Sequence, residues 1–312
     1  MSVKDRARSA SGPARVLEIQ RSRILAAMVE ECAARGAANV SVAHVVTRAG
    51  ISRRTFYDVF VDREQCFLDA FEEGITHAAR YVLGHYDSDA EWLERIRAAL
   101  AGLLTFLDAE PDTGRLLIIG SLGAGAEALE RRQHVLAHLT AVVDQGREER
   151  KTGKDLPALT AEGIVGGVLS VLHTRLSDRS AGPFVDLAGP LMSMIVLPYL
   201  GSAAARRELA WHVPSLPRLR SSAVHDPLRE LGMRLTYRTV RVLIAVAVTP
   251  GGSNRQVADE SGIGDQGQIS KLLTRLQGLG LIENTAPITR GAPNAWVLTD
   301  RGWEVQAALA PH

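Results

Sequence analysis

The sequence predicts a mainly all-α chain: a three-helix helix-turn-helix domain first, a helical domain in the middle, and a winged helix-turn-helix with a small β-hairpin last. Three observations carry this. Three helix-start signals follow one another within residues 41–66, apolar stripes of helical period run through 91–205, and two short strand-like runs follow two helices near the C-terminus. The boundaries read as 1–20, a flexible basic arm; 21–80, the helix-turn-helix; 81–205, the central helical domain; 206–226, a linker rich in Pro, Ser and Arg; and 227–312, the winged domain.

The first domain is read from its caps. Leu25, Met28, Val29 and Cys32 fall at i, i+3, i+4, i+7, one face of a helix that Gly36 ends. Ser41 then stands as an N-cap, with Val40 and Val45 as a hydrophobic staple. Gly50 breaks that helix and the signal repeats with Ile51, Ser52 and Phe56. It repeats again with Val61, Asp62 and Cys66, where Gln65 closes an Asp-x-x-Gln capping box. Two short helices joined by a glycine turn and braced on a longer one make a helix-turn-helix. Its second helix, expected over 52–60, exposes Arg53, Arg54, Thr55 and Tyr57 and turns Phe56 and Phe60 inward.

Charge supports a nucleic-acid partner. Residues 1–56 carry ten Lys/Arg against four Asp/Glu, and 206–312 carry thirteen against nine. Residues 57–80 carry two against six and 81–205 eleven against sixteen, so basic ends flank an acidic middle and the net charge is only +1. Only four of the 36 basic residues are lysines, a bias that suits phosphate and guanine contacts and equally fits a GC-rich genome. The basic arm carries Lys4, Arg6, Arg8 and Arg15, either for a minor groove or as a disordered tail. Cys32 and Cys66 lack CxxC spacing and read as core residues in a reducing cytoplasm. No apolar run of about 18 residues is expected to span a membrane, and the N-terminus does not read as a secretory signal.

The stretch SVAHVVTRAGISRRTFYDVFVDREQCFLDAF resembles the DNA-binding domain of the TetR family of regulators, with Phe56-Tyr57 and Phe60-Val61-Asp62-Arg63-Glu64 in the places of two family motifs. The resemblance implies that Tyr57, Arg63, Ser41 and Ser52 touch phosphates, and that the chain is a ligand-responsive repressor on a roughly palindromic operator. Lysine is more usual at Arg63 and phenylalanine at Cys32.

In the middle, Leu93, Ile96, Leu100, Leu103, Leu104 and Leu107 form a stripe ended by Glu110-Pro111, with further helices expected near 112–122, 127–152, 160–178 and 185–200. The last two resemble the pair that forms a four-helix bundle across a twofold axis in TetR-family regulators, so this domain is read as regulatory and dimerising. Gly163, Gly166 and Gly167 would admit a partner helix or serve an intramolecular contact. An unknown small-molecule effector, apolar or amphipathic, is expected among the preceding helices, with Trp92, Leu103, Phe106, Leu107, Leu116 and Leu117 as candidates that plain core packing would equally explain. His134 and His138 share zinc-ligand spacing, but no third ligand joins them, so no metal or other cofactor is expected.

At the C-terminus a helix is expected over 228–248. Ser253 and Gln256 form a capping box, Gly262-Ile263-Gly264 makes a turn, and Asp265 with Gln268 starts the next helix, whose buried face is Ile269, Leu272, Leu273 and Leu276. Leu281-Ile282-Glu283 and Ala295-Trp296-Val297-Leu298 read as strands around a loop holding Arg290, and Thr299-Asp300 start a final helix. This order, with Leu298-Thr299-Asp300-Arg301-Gly302, resembles the MarR-type winged domain over about 235–309. DNA contact through Gln266, Gln268, Ser270, Lys271, Arg275 and Arg290 stands beside a protein-contact or packing role for this domain. Gly262-x-Gly264-x-x-Gly267 satisfies a dinucleotide fingerprint, but a capped helix precedes it where a strand is required. With no nucleophile elbow, HExxH or P-loop, the chain offers an enzyme no site. A helix-turn-helix scaffold without DNA is the rival reading, and it leaves Arg53 and Arg54 unexplained.

Overall fold

A computed structural model describes residues 3–84, 89–149, 156–178, 182–213, 237–287 and 293–309, with side chains from residue 17 onward apart from 237 and 307–309. Among these residues there are thirteen α-helices and one two-stranded antiparallel sheet. The chain divides into two compact units, one of residues 1–24, 46–59 and 222–312, the other of residues 25–45 and 60–221.

Helix α1 (Val3–Arg35) begins far ahead of the expected start at Arg21 and takes in most of the segment read as a flexible arm. Within the first unit the end of this segment is packed. Ile19, 3% exposed, joins the buried cluster of Val240, Leu243, Val246, Val257, Leu273, Trp296 and Val305 from the C-terminal domain. A single isoleucine among arginines carries no periodic signal, which is why its burial is invisible in the sequence.

The helix-turn-helix follows the cap signals closely. Helix α2 (Val42–Ala49) ends at Gly50, whose φ of +64° is the left-handed conformation that glycine adopts without steric cost, and Ile51 N–H closes the turn on Val46 O at 3.1 Å. Helix α3 (Arg53–Tyr57) is shorter than the expected 52–60. Asp58 and Val59 N–H turn back onto Arg54 and Phe56 carbonyls, and Phe60 is buried beyond the helix end.

The second unit holds the central helices α4 (Arg63–Leu83), α5 (Trp92–Ala109), α6 (Pro111–Ile118), α7 (Ala126–Asp144), α8 (Thr160–Ser177) and α9 (Ala188–Leu209). Asp62 caps α4 by accepting Gln65 N–H, while the Gln65 amide oxygen accepts Val61 N–H rather than the cap residue's own. Helices α4 and α5 touch where Gly102 lies against the Tyr81 carbonyl, so close that a Cβ there would stand 2.5 Å from that oxygen. Each fully buried large apolar side chain here, Phe106, Leu104 and Leu116 among them, contributes about 1.5–3 kcal/mol. Helix α7 stops at Asp144, short of the expected 152.

Helix α9 runs on through Leu209, into the segment read as linker, and is broken at Gly201 with φ 78° and ψ 178°. Its last turn is anchored by Glu208, 2% exposed, which accepts two bonds from Arg97 of α5 at 2.8 and 2.5 Å. Phe184–Leu209 also has the length and mean hydropathy, 1.5, of a segment able to cross a membrane, contrary to the expectation that no such run exists. Within this unit its apolar side chains serve packing: Leu191, Met192, Ile195, Val196 and Tyr199 are buried.

The C-terminal part of the first unit has the winged order. Helices α10 (Tyr237–Val248), α11 (Asn254–Ser261) and α12 (Gln266–Gly278) precede strands β1 (Ile282–Asn284) and β2 (Trp296–Leu298), which pair antiparallel with Glu283 opposite Val297, and helix α13 (Asp300–Leu309) closes the domain. Gly252 bridges to Trp296, adding a short backbone rung beside β2. The first part of the helix expected over 228–248 lies outside the described residues, as does Arg290.

Candidate nucleic-acid interface

Helix α3 is started by Ser52, whose Oγ accepts Thr55 N–H at 3.0 Å and lies 2.9 Å from Thr55 Oγ1. The two hydroxyls expected to face DNA are therefore engaged with each other, and Thr55 is half-buried. Arg53 and Arg54 are exposed, and Tyr57, 56% exposed, stands edge-on to the buried Phe56 ring at 5.4 Å. The structure thus presents two adjacent guanidiniums and one phenol from a single capped turn, a donor set matched to guanine edges and phosphates.

In the other unit, Ser41 and His44 cap α2 reciprocally: His44 N–H donates to Ser41 Oγ and Ser41 N–H to His44 Nδ1, both at 3.3 Å. Histidine here takes the place of the Glu or Gln of a usual capping box, a partner that the Ser-x-x-Glu/Gln pattern does not reveal. Arg63 Nη1 donates to Ala37 O at 2.9 Å, so this side chain ties the start of α4 to the turn that follows α1. Cys32 and Cys66 are buried. Burial pushes the Cys32 thiol up to about 12, the Arg63 charge opposing and Glu31 adding to the shift, and its S–H points at Met28 Sδ. Both cysteines are core residues.

Helix α12 offers a second polar face. Asp265 accepts Gly267 N–H at 2.8 Å and Gln268 N–H at 3.1 Å, and these backbone and side-chain bonds, with Lys271 nearby, hold its carboxyl below the usual range. Gln266, Gln268, Ser270, Lys271 and Arg275 are all exposed, while Ile269, Leu273 and Leu276 are buried and Leu272 half-buried. Gln268 is held rather than free: its Oε1 accepts Arg238 Nη1 at 3.0 Å. Arg238, at the start of α10, is an exposed cation at the α12 N-terminus that no local motif singles out. Gly262 and Gly264 of the dinucleotide-like motif lie in the α11–α12 turn, where Gly262 has φ +60°, and Gly267 lies in the first turn of α12.

The six residues expected to meet an effector are packed. Trp92 donates its indole N–H to Val142 O and meets Tyr199 edge-on, Phe106, Leu107, Leu116 and Leu117 are buried, and Leu103 is half-buried. None of them lines the cavity of about 520 Å³ that the second unit contains. That cavity lies between the end of α1 (Cys32, Ala33, Ala34), the following Gly36-Ala37-Ala38, the end of α6 with Gly120 and Gly123, and the end of α8 (Leu176, Ser177). Arg115, on its wall, donates to Leu176 O and to Asp112, each at 3.0 Å. Among the described residues no group of three or more His, Cys, Asp or Glu is placed to hold a metal.

The structure is similar to the fatty acid degradation regulator FadR from Bacillus halodurans, at 16% identity over 57% of this chain and 94% of that one, with a TM-score of 0.50. FadR from Bacillus subtilis in complex with stearoyl-CoA matches at 18% identity over 57% and 97%, TM-score 0.48. A TetR family transcriptional regulator from Chloroflexus aurantiacus J-10-FL matches at 24% over 62% and 88%, TM-score 0.44. No curated protein matches the sequence. At 16% identity the Bacillus halodurans likeness speaks for the fold. Residues 24–70 match the profile of bacterial regulatory proteins of the tetR family, and this stretch is a TetR-family N-terminal domain.

Proposed function

We propose that the chain is a DNA-binding transcriptional regulator, a ligand-responsive repressor that reads a roughly palindromic operator as a homodimer in the cytoplasm. The observation that carries this reading is α3: a capped helix within a TetR-type domain with Arg53, Arg54 and Tyr57 exposed together. A phosphate contact from Tyr57 positions the helix, and the arginines specify bases.

Dimerisation is assigned to α8 and α9. On α8, Gly163 and Gly166 are exposed, and a Cβ built on either meets nothing within 4 Å. Ser170 and Thr174 extend the same open face, and α9 adds an exposed Leu197. Small residues let a twofold-related helix approach closely. The effector is assigned to the second unit, where one open cavity with alanine and glycine walls, Arg115 and Ser177 suits a small amphipathic molecule. The C-terminal domain is read as a MarR-like winged module that adds DNA contacts through the exposed face of α12. A protein-contact role for it is favoured by one observation, the Asp265 carboxylate at the start of that helix.

The test is genome-wide binding to recover the operator, followed by affinity measurements on operator variants. Arg54→Ala is expected to change the ranking of the variants. If it binds them with the ranking and ratios of the unaltered protein, α3 is not the reader.

A further inference from the structure

The base of the wing is joined to α11 by a relay of three asparagines. Asn254, the first residue of α11, accepts at Oδ1 from the Trp296 indole N–H at 2.6 Å and from Asn294 Nδ2 at 3.0 Å. Asn294 Oδ1 accepts from Asn284 Nδ2 at 2.8 Å. Asn284 Oδ1 in turn accepts the backbone N–H of Ala295 at 2.8 Å and of Ala286 at 3.1 Å. Three side chains thus connect the helix preceding α12 to both strands of the hairpin. Backbone bonds run alongside: Gly251 N–H donates to Trp296 O at 2.8 Å and Trp296 N–H to Gly252 O at 3.0 Å. Trp296 is buried, so its indole N–H needs the acceptor that Asn254 supplies.

We infer that Asn254, Asn294 and Asn284 are positioning residues that hold the wing at a set angle to α11 and α12 for DNA contact. This rests on the reading of the C-terminal domain as a DNA-binding winged module. The chemistry explains the residue type. Asn294 and Asn284 must each donate and accept at once, which an amide does and a carboxylate does not. Asn254 only accepts in these bonds, so aspartate is able to replace it. A short two-stranded hairpin has little stability of its own, and ties to a helix are what fix its direction.

The experiment uses the full chain. The Trp296 indole N–H is identified in a ¹H–¹⁵N spectrum by its disappearance in Trp296→Phe, and its solvent exchange is measured in Asn254→Ala, Asn254→Asp and Asn294→Asp. Expected are fast exchange in Asn254→Ala and Asn294→Asp and retained protection in Asn254→Asp. On the recovered operator with extended flanks, Asn254→Ala should bind with a shallower dependence of log affinity on log salt, by about 0.9 for each phosphate that the wing no longer reaches. Binding to the duplex trimmed to its core palindrome should stay unchanged. Protection retained in Asn254→Ala and Asn294→Asp overturns the relay. Fast exchange with an unchanged salt slope overturns its role in DNA contact. If Lys271→Ala and Arg275→Ala then also leave the slope unchanged, the winged-module reading itself has failed; if they lower it, only the positioning role has.

Discussion

The two exposed helices, α3 and α12, solve the same problem with opposite balances. Each is opened by a side-chain cap, Ser52 for one and Asp265 for the other. The short α3 follows its neutral cap with two adjacent exposed arginines. The longer α12 places a carboxylate at that end, and its cations, Lys271 and Arg275, come six and ten residues later. The serine cap adds no charge beside the arginines, whereas the aspartate cap places a negative one ahead of its helix. We therefore expect α3 to supply the main discrimination and α12 a weaker, more electrostatic contribution.

The largest expected effect tests whether the two regions are independent at all. Ile19→Ala removes a buried side chain of α1 from the C-terminal core and should cost about 2–5 kcal/mol. Denaturant unfolding followed through Trp296 and Trp303 checks it, and a change under half a kcal/mol means that α1 does not belong to that core.

Next comes the contrast in discrimination. Arg54→Ala should weaken binding by about 1–3 kcal/mol at the base it reads. Lys271→Ala should leave the ranking of operator variants intact and lower the salt slope by about 0.9 for each phosphate contact, up to twice that in a dimer. Fluorescence anisotropy titrations at several salt concentrations separate the two, and a change of ranking in Lys271→Ala would reverse the comparison.

For dimerisation, Gly166→Leu places a bulky side chain on the open face of α8 and should give monomers with weakened operator binding. Light scattering reads the mass directly, and a variant that stays dimeric counts against this interface.

The smallest effect concerns the caps. Ser52→Ala should cost about 0.5–2 kcal/mol of local stability, with no pH dependence of its own because a hydroxyl does not titrate. The Asp265 cap should behave differently. Its folded carboxyl titrates below the unfolded one, so its contribution is present above the usual carboxylate range and fades as pH falls through the lowered folded value. Asp265→Asn should flatten the acid limb of the C-terminal domain's unfolding curve. An unchanged limb would assign the acid sensitivity to other groups.

Much of this architecture is written locally. The starts at Ser52, Asp62, Ser253 and Asp265 are legible because a cap and its partner lie two to four residues apart. The buried face of α12 follows from helical period alone. The exposed face of α3 is legible for the same reason, since burying Phe56 leaves Arg53, Arg54 and Tyr57 outside.

What tertiary structure decided are contacts between distant residues, which no local pattern encodes. Arg97 meets Glu208 across 111 residues and thereby carries α9 past the expected linker boundary. Trp296 meets Asn254 across 42 residues. Ile19 enters a core built from residues beyond 239, so the end of the expected arm is packed. Trp92 and Phe106 look alike as pocket wall or as core in a sequence, and only the packing around them separates the two. Sequence by itself determined where helices start, which faces they bury and which charges they expose, because those follow from backbone hydrogen bonding and residue period. Which buried faces meet, and where they leave a cavity, was settled by long-range packing, because apolar attraction has no direction and many pairings satisfy the same pattern.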